Sequence, residues 1–308
     1  MPVKIHRLLD APIIHPGLDP SLGDNINGPS LIRVPEWIVS PLARYYLYFA
    51  HHEGKSIRLA YADTLTGPWR IHRPGAIRLD QTPLPQTPPS VPQPAWAVAK
   101  GVEGLYPHIA SPDVHIDTAQ RRLTMYFHGL DHSGEQVSLT ATSSDGLNWQ
   151  LAGPMIDQVY LRAFHHGGTG YAMAWAGQIL HATPNGGFEP GPMPFPPGHR
   201  HCAVLVRGNI LHVLWTRIGD APERILHSTI GLSGNWQDWR LGDTAQVLRP
   251  ERSWEGADLP ITASEIGTAT HFEHALRDPC FFEESGRLYL IYAGGGEAAL
   301  GLAEITGL

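Results

Sequence analysis

Residues 29–69 read PSLIRVPEWIVSPLARYYLYFAHHEGKSIRLAYADTLTGPW, and this stretch decides the fold. PSLIRV from Pro29, YYLYFAHH from Tyr45 and SIRLAYAD from Ser56 are short β-rich runs separated by turn residues, and a Gly-Pro-Trp turn ends at Trp69. Runs of this length, bounded by Gly, Pro and charged residues, predict strands rather than helices.

The same plan of strand, turn, aromatic-rich strand, polar loop, strand and Gly-Trp turn recurs along the chain. A second copy reads SPDVHID from Ser111, RLTMYFHG from Arg122 and QVSLTATSSDG from Gln136, followed by Trp149. A third reads YLRAFHHGG from Tyr160, YAMAWAG from Tyr171 and QILHATPNGG from Gln178. The fourth runs from His199 through Ile210 and Arg224 to Trp236 and Trp239, and the fifth from Arg277 through Arg287 to Ala299. Units of this period cannot bury their own faces alone and stack around an axis. The prediction is an all-β, five-bladed β-propeller in one domain, with blades at about 27–80, 106–156, 159–196, 199–248 and 275–308. The fifth copy has three strands. VKIHRLLDAPII (Val3–Ile14) resembles the outer segment WRIHRPGAIRL (Trp69–Leu79), so residues 2–14 are expected to close the last blade and remove a sheet edge. The competing arrangement is an open sandwich. A Pro- and Gln-rich insertion at 80–105 and a second at 249–274 interrupt the plan and are expected to be loops that carry function or an oligomer contact.

Composition narrows the function. A formal charge of −7 and the lack of a dense basic cluster argue against a nucleic-acid or anionic-membrane partner. Two cysteines, Cys202 and Cys280, cannot build a disulfide framework and suit a reducing compartment. The N-terminal sequence lacks the apolar run of a signal peptide, so a cytoplasmic location is expected.

In a propeller, the start of each inner strand and the loop joining its second and third strands share one rim. Blade one supplies Asn25, Asn27, His51 and His52 there, and blade two His108, Asp113 and His128. Blade three supplies Arg162, His165 and His166; blade four Arg200, His201, Arg217, Asp220 and Glu223; blade five Arg277, Asp278 and Glu297. The opposite turns carry ordinary hairpin polars such as Asp117 and Asn209. Polar groups converging on one rim predict a single ligand pocket. Trp254, beside Glu255 in the second insertion, is a candidate platform for a sugar ring. Trp69, Trp149 and Trp236 read instead as blade-packing residues. His51, His108, His128 and His201 form a candidate ligand set for one metal ion at the axis, although no tight metal-binding spacing occurs.

SPDV at Ser111–Val114, RDP at Arg277–Pro279 and GPSLI at Gly28–Ile32 resemble motifs of the five-bladed propeller glycoside hydrolases, family 43 and its relatives in families 32, 68 and 117. The resemblance implies inverting hydrolysis by carboxylates on blades one, three and four. The corresponding positions here are Gly28, Arg162 or His165, and Arg200 or His201, so the family's acids do not transfer. The remaining candidates for proton transfer are Asp113, Asp278, Asp220, Glu223 and Glu297 and the loop acids Glu255 and Asp258 among the carboxylates, with Asp113 and Asp278 foremost, and His201 and His165 among the imidazoles. The expectation is a glycosidase acting on a small, acidic glycoside or oligosaccharide bound by the other rim residues. Two alternatives stand beside it: histidine-assisted elimination on a uronide, and a propeller that only binds sugar or protein.

Overall fold

The computed structural model describes residues 3–99 and 104–308, with only the backbone of Trp96. Five four-stranded antiparallel sheets account for nearly all the regular structure. Strand β1 (Lys4–Arg7) precedes blade one, formed by β2 (Asn27–Arg33), β3 (Tyr45–Ala50), β4 (Ser56–Ala62) and β5 (Arg70–Arg78). Blade two is β6 (Ile109–Asp117), β7 (Arg122–Leu130), β8 (Gln136–Ser143) and β9 (Gln150–Ile156). Blade three is β10 (Arg162–His166), β11 (Thr169–Met173), β12 (Ile179–Ala182) and β13 (Phe188–Pro190). Blade four is β14 (His199–Arg207), β15 (Ile210–Arg217), β16 (Ile225–Gly231) and β17 (Leu241–Leu248). In blade five, β18 (Leu276–Glu284), β19 (Arg287–Gly294) and β20 (Ala299–Thr306) pair with β1 as the outer strand.

The ring therefore closes as the sequence predicts, with Lys4 opposite Thr306 and Arg7 opposite Ala303. The closing strand is shorter than the Val3–Ile14 match suggests. After Arg7 the chain bends away and returns for one bridge, Ile14 to Leu300. Pro12 lies inside this excursion, and proline cannot donate to a ladder. Residues 80–105 are mostly irregular where described, apart from a 3-10 turn at Leu79–Gln81 and one helical turn at Ala95–Ala99. Among the described residues, no helix is long and apolar enough to cross a membrane.

Apolar clusters sit between blades rather than inside them. Blades one and two share Ile32, Tyr46, Tyr48, Ile109, Met125 and Trp149. Blades five and one share Leu47, Phe49, Trp69, Phe282 and Ile291, and blades three and four share Met173, Val213, Trp215 and Trp239. The cluster between blades two and three is small, centred on Ile156, Leu161, Ala172 and Leu180. Polar bonds supplement it: the Ala163 amide donates to Asp113 at 2.8 Å, and Arg162 donates to the Ser111 and Pro112 carbonyls at 3.4 Å.

Glu255 fastens the ring closure. It is fully buried and accepts from Arg7 at 2.7 and 2.8 Å, from the Tyr292 hydroxyl at 2.8 Å, and from the amides of Glu251 and Arg252 at 2.7 and 3.0 Å. Removing one partner of a buried ion pair leaves the other charge uncompensated. Glu255→Ala should therefore lower unfolding stability by about 3–5 kcal/mol, read as a fall in urea midpoint at constant slope. Tyr292→Phe should cost about 1 kcal/mol. A parent-like midpoint in Glu255→Ala would remove this carboxylate from the closure.

Candidate functional site

Four of the five inner strands carry a register shift near their start, between Asn27 and Ser30, Ala110 and Asp113, His199 and Cys202, and Arg277 and Cys280. In three of them a residue in the left-handed region precedes proline: Gly28 (φ 57°), Ser111 (φ 51°) and Asp278 (φ 49°). Bulges of this kind re-aim side chains, and left-handed non-glycine residues cluster at working sites. Asp278 thus occupies on blade five the position that Gly28 and Ser111 hold on blades one and two. Its Oδ2 accepts from the Gly28 amide at 3.1 Å. The resemblance implies a carboxylate at Gly28 itself; here a carboxylate reaches that place from the neighbouring blade.

The other Asp278 oxygen, Oδ1, meets Nδ1 of His201 in a short contact. Burial opposes ionisation of Asp278, but His201 and the Gly28 amide outweigh it and hold the carboxyl below its usual range. An ionised Asp278 fixes a proton on His201 Nδ1 and leaves Nε2 as the working nitrogen. His201 Nε2 has no hydrogen-bond partner among the described residues, and the residue is 6% exposed. Tyr160, left-handed at φ 60°, packs its ring 4.5 Å from His201 and 4.1 Å from His128, with Trp175 at 5.3 Å behind it. A pocket of about 300 Å³ opens here, with His52, Tyr106, Tyr160, Trp175, Arg200 and His201 in its wall and Glu135, Gln136 and Asp157 at its polar edge.

Beneath the pocket lies a buried ion network. Arg277 donates to Glu223 at 3.0 Å, Glu297 at 3.2 Å and Glu273 at 2.6 Å. Arg200 donates to Glu223 at 2.9 Å, to the Gly267 carbonyl at 3.1 Å and to the Glu265 carbonyl. Glu297 also accepts from Asn25 at 2.7 Å and Asn27 at 3.1 Å, and lies 3.4 Å from His52. Burial raises its pKa, yet His52, Arg277 and Asn25 together pull it well below the ordinary value. Arg162 is committed as well, donating to the Cys202 and Leu161 carbonyls at 3.1 Å.

The rim expected from the sequence gathers His52, Arg200, His201, Arg277, Asp278, Glu297, Asn27, His108 and His128 around one centre, and several other candidates lie elsewhere. His165 is exposed near the end of β10, because that strand is only five residues long and turns at Gly167. Asp113 is spent inside the ring on His115, at 2.6 Å, and on the Ala163 amide. Arg217 is exposed, and Asp220 pairs with Arg224 at 3.2 Å. Glu223 is a counter-ion for two arginines, and Glu255 belongs to the ring closure. His51 and Trp254 border a different cavity. Of the four histidines proposed to share a metal, His51 borders that other cavity, and the Tyr160 ring packs against both His128 and His201. Among the described residues no three His, Cys, Asp or Glu side chains are placed to share an ion. The reading missed Tyr106, Tyr160 and Trp175. They occupy the same rim loops, but it weighted histidines and charges over aromatics.

No protein-family model matches the chain. An uncharacterized protein of Acanthamoeba polyphaga mimivirus is 32% identical, over 91% of this chain and 83% of that one. Solved structures with the same fold include an exo-1,5-α-L-arabinanase from a bovine ruminal metagenomic library (TM-score 0.53, 12% identity, 91% and 92% of the two chains). They also include a family 43 β-xylosidase/α-arabinofuranosidase from a compost microbial metagenome, in complex with xylotriose (0.59, 11%, 98% and 93%), and a family 43 enzyme from Xanthomonas citri complexed with xylose (0.59, 9%, 96% and 89%). At these identities the likeness establishes the five-bladed fold alone.

Three buried imidazoles make a pH prediction. Burial pushes His108 down to about 4 and His199 down to about 3. Burial, helped by His108, His52, His201 and Arg162, holds His128 well below the usual imidazole range. Unfolded, each would titrate near about 6.5. Between these limits the unfolded chain binds more protons, so stability is intact above pH 6.5 and falls as pH drops towards 4. The slope contribution is about 1.4 kcal/mol per pH unit for each histidine. Urea unfolding from pH 7 to 4.5 should show this decline, and His128→Gln should make it shallower by about one histidine's share. An unchanged slope would mean that His128 is not a buried neutral imidazole.

Proposed function

This chain belongs to one family with the mimivirus protein, and we propose that it is a carbohydrate-active enzyme hydrolysing an uncharged glycoside, with His201 held by Asp278 as its central proton-transfer group. One observation carries this reading. A buried imidazole in the wall of an aromatic-lined pocket is anchored at one nitrogen by an ionised carboxylate, and its other nitrogen has no hydrogen-bond partner among the described residues. Aromatic faces with a few fixed polar groups suit a sugar ring, which is apolar on its C–H face and polar at its rim. Imidazole exchanges protons near neutrality, and Asp278 fixes its tautomer and orientation.

Hydrolysis needs a second proton-transfer group opposite the first. The acids at the pocket edge, Glu135 and Asp157, are assigned that role: His201 Nε2 takes a proton from the attacking water, whose oxygen bonds to the anomeric carbon, while one of the two carboxyls protonates the departing glycosidic oxygen. Arg162, Arg200 and Arg277 are already bonded to carboxylates or carbonyls. A substrate carboxylate would have to displace those bonds, which supports an uncharged sugar over an acidic one and leaves uronide elimination without its arginine clamp. The two free thiols support a reducing, cytoplasmic setting.

The test is turnover on a panel of aryl pentosides, aryl hexosides, their oligosaccharides and uronides. His201→Ala should lower kcat/KM by about 10²–10⁴ while the protein stays folded. Asp278→Asn should also lose activity and should shift the pH profile, because an amide no longer fixes the imidazole tautomer. Turnover retained in His201→Ala would overturn the assignment. A product absorbing as an unsaturated uronide would replace hydrolysis with elimination, and binding without turnover would make the protein a lectin-like propeller.

A further inference from the structure

The pocket at His201 is not isolated. A cavity of about 370 Å³ shares Tyr106, Ile266 and Gly267 with it. That cavity in turn shares Glu53, Thr268, Thr270 and His271 with a larger one of about 700 Å³, which lies between the N-terminal segment and residues 268–272. Through these shared residues the three cavities adjoin as a trough along one rim. Its wall is fixed, since the Thr268 hydroxyl lies 3.3 Å from the Asn25 amide and 3.4 Å from Glu297, both part of the buried ion network.

The far cavity has a distinct chemistry. Among the described residues lining it are Asp24 and Glu53, but no lysine or arginine. An anionic ligand would meet these carboxylates and Glu297, with the imidazoles of His15, His51 and His271 as the other titratable groups in the lining. Phe272 is 44% exposed, a large apolar side chain that no core cluster absorbs. Trp254 also borders the cavity. Its indole is held by packing on Tyr292 at 5.8 Å and by a 3.0 Å bond from Nε1 to the Asp10 carbonyl. Rigid aromatics bind with little ordering cost.

We propose that this far cavity is a remote subsite for further units of an uncharged glycan whose terminal sugar occupies the His201 pocket, with Phe272 and Trp254 as its aromatic wall. The proposal rests on the glycoside reading and adds to it that the ligand is a chain held at two places. The carboxylates and hydroxyls of the trough would accept and donate hydrogen bonds to sugar hydroxyls, and the indole and phenyl faces would cover ring C–H surface.

Isothermal titration with arabino- and xylo-oligosaccharides of one to six units tests it. In one series, affinity should climb by roughly tenfold or more from the single sugar to the longer chains. Phe272→Ala, an exposed position, should collapse that climb. Thr270→Trp, at an exposed residue that lines both cavities, should do the same, and Trp254→Ala is read only if its unfolding midpoint stays near the parent's. Single sugars that bind with no dependence on length, or a climb that survives both Phe272→Ala and Thr270→Trp, would overturn the subsite alone. Failure of every length to bind would overturn the glycan reading and the subsite with it.

Discussion

Three blades meet at one carboxylate. From blade five, Asp278 accepts the Gly28 amide of blade one and holds the His201 imidazole of blade four. This contact depends on the ring being closed, because each partner comes from a different sheet. It also depends on the bulged, left-handed start of β18, which turns the carboxylate across the axis. Without that turn, Asp278 would alternate with its neighbours like any strand residue and would not reach Gly28.

The ion network beneath the pair explains how so polar a centre can be buried. Arg277 is surrounded by three carboxylates and Arg200 by one carboxylate and two carbonyls, so the charges are paired close to where they lie. Such pairing removes the penalty of isolated buried charge without adding much net stability. Its structural consequence is positional. It fixes Glu297, and through the Arg200 contacts it pins residues 265–267 as a wall of the pocket. Burial keeps His128 and His108, which flank this centre, neutral.

Much of the fold was legible because repeats expose it. Tyr45–Phe49, Arg122–Phe127 and Arg287–Tyr292 present the same aromatic middle strand, and the Val3–Ile14 match pointed to the closing strand. Loop position alone puts His201, Asp278, His52 and Glu297 on one rim, and the structure brings them close together. Loop position failed at His165, since sequence alone does not show that β10 stops after five residues. It also assigned Arg162, Arg200 and Arg277 to a ligand, because partners such as Glu223 and Glu273 become visible only when separate blades are brought together. Tyr160 and Trp175 lie in the same rim loops, where an aromatic residue carries no sequence signal of its own. Aromatics serve cores and sugar faces alike, and position in three dimensions separates the two uses.

The account's central claim is that Asp278 holds His201 with its far nitrogen free to meet a sugar. Long-range nitrogen–proton NMR of the imidazole tests it most directly, since each ring nitrogen reports its own protonation and hydrogen bonding. The account predicts a proton on His201 Nδ1, shared with Asp278, and an Nε2 signal that moves when a binding glycoside is added. A neutral ring protonated at Nε2, or an Nε2 signal indifferent to saturating glycoside, would contradict it.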